Sequence, residues 1–76
     1  MTPAQCRAAR ALIGWSQLNL AKAAEVGVVS VRQFERDTTE ARRATIAAIR
    51  RALEAAGVSF IDGNGEGPGV RLKRRS

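Results

Sequence analysis

The stretch EVGVVSVRQFERD, residues 25–37, decides what this chain can fold into. Its run of valines favours a strand. From Val31 onward, however, the apolar spacing is helical. Val31 and Phe34 stand at i, i+3, while Arg32, Gln33, Glu35 and Arg36 fill the other positions. Gly27 is an acceptable helix cap. The stretch therefore reads as a helix from Val28 to about Arg36, with Val26 turned into the core just before it.

The flanking segments agree with that reading. Ser16 starts a helix and can cap its free amides; Leu20, Ala21 and Ala24 make the inward stripe, Lys22 faces water, and the helix ends near Ala24. Further upstream, Thr2-Pro3-Ala4-Gln5 is a helix start: Thr2 caps, Pro3 suits the first helical position and Gln5 completes a capping box. This first helix runs to about Gly14, with Cys6, Ala9 and Ile13 on one face, Arg7 pointing away from it and Arg10 near its edge. Trp15 is expected as a core-edge anchor at the turn. After a loop over 37–42, a longer helix runs from about Arg43 to Ala56 before Gly57 stops it. Ile46, Ile49 and Leu53 form its buried stripe, and Arg50, Arg51 and Glu54 its wet face.

The last segment changes character. Val58-Ser59-Phe60-Ile61 is strand-like, residues 62–69 (DGNGEGPG) are a turn cluster, and Val70-Arg71-Leu72-Lys73 alternates apolar and basic. This predicts a β-hairpin with a frayed tail over 74–76. The expected fold is mainly α: four helices over residues 1–57, then a hairpin and basic tail over 58–76 in the same domain.

With 76 residues, one small domain is the ceiling. The net charge of +6 and a pI near 11.4 favour a polyanionic partner, most often nucleic acid. Arginine outnumbers lysine by 11 to 2, a bias expected of a GC-rich bacterial genome. A single cysteine with no histidine allows neither an intrachain disulfide nor a zinc site, and no cofactor is implied. Cys6 is expected as a small core residue. No activated nucleophile stands out, so an enzyme is not expected. The glycine cluster at 62–69 does not match GxxxxGK[ST] and no helix follows it, so it is not a phosphate-binding loop. RNA binding lacks an aromatic platform, because Trp15 and Phe34 read as buried. No apolar run reaches the length of a membrane span, so no membrane partner is implied and the expected compartment is the cytoplasm, on the nucleoid when DNA-bound.

Two short helices joined by a tight turn, the second one amphipathic, form the helix-turn-helix pattern. The stretch GWSQLNLAKAAEVGVVSVRQFER, then a basic loop and TIAAIRRAL, resembles the Cro and phage-repressor (XRE) family of DNA-binding domains. The matching marks are Ser16-Gln17, Leu20-Ala21, Val26, Val31 with Phe34, Glu35, and Arg10 in the first helix. The likeness covers about residues 5–55.

The resemblance implies a repressor-like fold in which the helix Val28–Arg36 lies in the major groove. Val28 and Val29 would face base edges, packing on thymine methyls, and Gln33 would bond adenine. Ser30 would reach a base or a phosphate, and Arg32 a guanine or the backbone. Gln17 stands where the family bonds a phosphate at a helix N-terminus. Arg36, Arg42 and Arg43 stand where the family grips phosphates or reaches the minor groove. Arg10 and Glu35 match a structural ion pair. The implied function is a DNA-binding transcriptional regulator, a repressor acting as a homodimer on double-stranded DNA. The competing class is an antitoxin or a protein-binding adaptor with a toxin or another regulator as partner, favoured by Val28, Val29 and an exposed-looking Leu18.

Three positions depart from the family pattern. Glu25 replaces a glycine in the turn; if that position needs a positive φ, glutamate is strained by about 1 kcal/mol or more. Gly27 replaces a Ser or Thr cap, and Asp37 a glycine, both tolerable. A hairpin also stands in place of a fifth helix. Paired across a two-fold axis, its free edge would make a dimer, with Phe60, Ile61, Val70 and Leu72 as candidate contacts.

Overall fold

Thr2 opens the first helix, α1 (Pro3–Ile13), through a complete capping box. Its hydroxyl accepts from the Gln5 amide (3.0 Å), and the Gln5 side chain accepts from the Thr2 amide (2.8 Å). Ser16 and Asn19 repeat the device at α2 (Gln17–Ala24). The valine run is helix, as expected: α3 is Val28–Glu35, capped by Gly27 in extended conformation. The longest helix, α4 (Arg43–Ala55), follows Arg42, and a hairpin of β1 (Val58–Ile61) and β2 (Gly69–Leu72) closes the chain. The molecule is therefore mainly helical, with four helices and a C-terminal hairpin. The computed structural model describes residues 1–36, 42–61, 63, 65 and 67–73; the expectations for Asp37, for the rest of the loop to residue 41 and for the tail 74–76 lie outside the described residues.

The first two helices end the same way. After α1, the Trp15 amide reaches back to the Arg10 carbonyl (2.9 Å) with Gly14 left-handed at φ 68°. After α2, the Val26 amide reaches the Ala21 carbonyl (3.0 Å) and the Glu25 amide the Lys22 carbonyl (3.3 Å). That is the Schellman arrangement, which needs a left-handed residue at its centre. At α2 that residue is Glu25, with φ 57° and ψ 43°, the one non-glycine residue at positive φ among those described. The turn keeps the shape a glycine would adopt, and the glutamate bears the strain, about 1–2 kcal/mol.

The core comprises Cys6, Ala9, Leu20, Ala21, Val31, Phe34, Ile49, Leu53 and Val58. Trp15 packs at its edge, as expected of an anchor at the turn, and Val26 and Ile46, expected inside, rest half-buried against it. α2 packs on α3 and α4, while the hairpin lies across α1 and α4. The strands are antiparallel, with Val58 opposite Leu72 and Phe60 opposite Val70. Three contacts hold the hairpin down. Val58 is fully buried. The Arg50 guanidinium lies 4.9 Å from the Phe60 ring centroid, so Arg50 covers an aromatic face as well as pairing with Glu54 (3.3 Å). The Gln5 side-chain Nε2 donates to both the Ile61 and Gly69 carbonyls (3.1 and 2.9 Å), pinning the strand ends to α1. Among the described residues, no helix is long and apolar enough to cross a membrane.

Candidate nucleic-acid interface

The helical period splits α3 into two faces. Val31, Phe34 and Glu35 are buried. Val29, Arg32, Gln33 and Arg36 lie along the opposite stripe, at i, i+3, i+4 and i+7, and all four are exposed. Val28 and Ser30 flank this stripe and are half-buried, Val28 resting on the core. The structure thus brings Val29, Arg32, Gln33 and Arg36 together and leaves Val28 and Ser30 at the margins.

The inward face is held by one carboxylate. Glu35 Oε2 accepts from Arg10 Nε (2.6 Å) and Cys6 Sγ (3.2 Å), and its Oε1 accepts from Arg10 Nη2 (2.7 Å) and Gln17 Nε2 (3.0 Å). Four donors from α1 and α2 saturate its lone pairs, and the arginine binds as a two-pronged fork. Arg10 Nη1 also donates to the Trp15 carbonyl (3.1 Å), so the α1–α2 turn joins the network. Arg7, expected to point away, instead donates to the Glu35 main-chain carbonyl near the end of α3.

The electrostatics follow from this geometry. Burial pushes the Glu35 carboxyl upward, but hydrogen bonds from Arg10, Gln17 and Cys6 with the Arg10 charge outweigh it and hold the group below the ordinary carboxylate range. The hydrogen bond to Glu35 holds Arg10 more firmly charged, against the opposing effect of burial. Burial, then the neighbouring carboxylate, pushes the Cys6 thiol up. It stays protonated, donates to Glu35 and is a packed core group rather than a reactive thiol.

Gln17, expected at a phosphate, commits one amide hydrogen to Glu35; a phosphate contact there has to use the other. Arg42 and Arg43 are exposed at the N-terminus of α4, whose first turn has neither an acidic residue nor a side-chain cap. Cations at that end oppose the helix dipole, at a cost of about 0.3–1 kcal/mol each. Their placement weakens the helix while concentrating positive charge at the positive end of its dipole, which suits an anion.

The hairpin candidates do not converge on one surface. Phe60 and Val70 face each other and rest on the core of their own chain. Ile61 and Leu72 remain 40% and 49% exposed, but the pleat and register put them on opposite faces.

No protein-family model matches the chain, and no curated protein matches it either. Gln5, Arg7 and Cys6 are the positioning residues that sequence reasoning missed. For Gln5 the capping box was visible, but its second role depends on where the hairpin lands, 56 and 64 residues away in sequence.

Proposed function

We propose that this domain is a sequence-specific DNA-binding transcriptional regulator, a repressor that occludes its operator, with α3 as the recognition helix. The observation that carries this reading is the two-sided construction of α3. One face is anchored to α1 and α2 through Glu35, and the other presents Val29, Arg32, Gln33 and Arg36 to solvent. An α-helix with its side chains is about 10–12 Å across, which fits a major groove about 12 Å wide. Gln33 has the amide geometry to read adenine, and Arg32 that to read guanine or bind the backbone. Arg36, Arg42 and Arg43, with the second amide hydrogen of Gln17, supply phosphate contacts.

The resemblance to the XRE family supports the same assignment. The domain measures 32 Å along its longest axis, so one copy covers one half-site, and two copies on a palindrome meet the spacing of about 34 Å between half-sites. Dimerisation is part of the proposal. Pairing through a hairpin edge would use either β1, with Ile61 as its exposed apolar contact, or β2, with Leu72, because the two lie on different strands and opposite faces.

One observation favours a second reading, an antitoxin or adaptor that docks on a protein: Leu18 on α2 is 50% exposed. Two substitutions separate the readings. Arg43→Ala should weaken binding to all duplexes alike and lower the salt slope by about one, while Gln33→Ala should relax sequence choice. Duplex affinity insensitive to both changes would favour the protein-docking reading.

A further inference from the structure

We propose that the outer edge of β2 takes up an extended segment of a protein partner as a third strand, one in which acidic and apolar residues alternate. The proposal goes beyond the DNA-binding reading and does not depend on it. The Lys73 amide donates to the Gly57 carbonyl (2.7 Å), so residues 69, 71 and 73 turn their main-chain groups toward β1. Val70 and Leu72 therefore turn theirs outward, where no group among the described residues bonds them. Such an edge is a template for another strand. Its two faces differ. Arg71 and Lys73 are exposed on the outer face, while Val70 and Leu72 point to the inner face, Leu72 with half its surface open. A hollow between α1 and β2, lined in part by Ala4, Ala8, Pro68 and Val70, adjoins the edge and can take further apolar side chains. A second copy of the chain fits badly there. Centred on Arg71, two antiparallel copies set Arg71 against itself; centred on Leu72, they set Arg71 against Lys73. Centred on Val70, they set Leu72 against Pro68, which has no N–H to donate. A strand with acidic residues opposite Arg71 and Lys73, and an apolar residue opposite Leu72, complements both faces.

The test titrates the full chain with two short capped peptides of identical composition, one alternating glutamate with valine and the other with its glutamates grouped. Amide hydrogen exchange is followed by NMR. The alternating peptide should bind about two- to thirtyfold more tightly, the worth of two opposite-charge cross-strand pairs. When it occupies about nine-tenths of the chains, the Val70 and Leu72 amides should exchange roughly tenfold more slowly, because only the free fraction leaves them open. Arg71→Glu combined with Lys73→Glu, both at exposed sites, should transfer the preference to a peptide alternating lysine with valine. Equal binding of the two acidic peptides overturns the inference, as does binding that leaves the exchange of those amides unchanged. A double variant that keeps the original preference overturns it too. Protection of the same amides by raising the concentration of the chain alone assigns the edge to a second copy and contradicts the proposal. So does a single-stranded oligonucleotide that binds at Arg71 and Lys73 where neither peptide does, which assigns the two cations to phosphates.

Discussion

Gln33 and Glu35 are two residues apart on α3, yet their surroundings have almost nothing in common. Glu35 is buried and saturated by Arg10, Gln17 and Cys6, while Gln33 is exposed on a stripe with Val29 and Arg36. The buried face fixes where the helix sits. The exposed face carries the groups that a partner would meet. A helix of eight residues is too short to be stable alone, so the directional bonds at its back are what make its front a defined surface.

Breaking the back should have the largest effect. Glu35→Ala leaves Arg10 partly buried, with a side chain 19% exposed and no counter-charge, and should cost about 3–5 kcal/mol. A domain this size has about 4–11 kcal/mol in total, so urea denaturation should show a severely weakened or unfolded variant. Acid acts on the same group more gently. The folded Glu35 carboxyl is depressed, so its contribution is complete above the unfolded pKa of about 4.3 and is lost as pH falls through the folded value. Thermal melts of wild type should fall more steeply below about pH 4.3 than those of Glu35→Gln, a difference that cancels the other carboxylates.

The exposed side should behave oppositely at Arg42. Arg42→Asp places a good capping residue at an extended N-cap, with φ −69° and ψ 145°, and reverses an unfavourable charge at the helix terminus. Stability should rise by about 1 kcal/mol, or about 4–8 °C in melting temperature, while duplex affinity falls. A gain in stability with unchanged affinity would remove Arg42 from the interface. The smallest effect is expected at the turn. Glu25→Gly relieves the left-handed strain and should stabilise by about 1 kcal/mol or less, because glycine also loses more chain entropy. Calorimetry at neutral pH resolves that change.

Much of this architecture is visible in the sequence because it is local. Capping at Thr2 and Ser16, the i, i+3 spacing of Val31 and Phe34, and the stop at Gly57 each involve residues within one turn. They place every helix boundary within about a residue of its observed position. The exposed stripe of α3 is legible for the same reason, although Val28 turns out half-buried where Val29 is not. What the sequence conceals is long-range. Gln5 reaching the strand ends, Gln17 and Cys6 converging on Glu35, and Arg50 covering Phe60 depend on how separate elements meet. Glu25 is an intermediate case: the sequence raises the question of a left-handed residue there, but whether the turn needs one and whether a glutamate accepts it depends on the bonds of the completed turn.

The most direct test of the two-faced helix is enrichment of random DNA duplexes by the full chain at physiological salt. The account predicts a palindromic site whose half-sites lie about 34 Å apart, with choice of sequence relaxed by Gln33→Ala while the fold is unchanged. Recovery of no enriched sequence from a protein shown to be folded would contradict it.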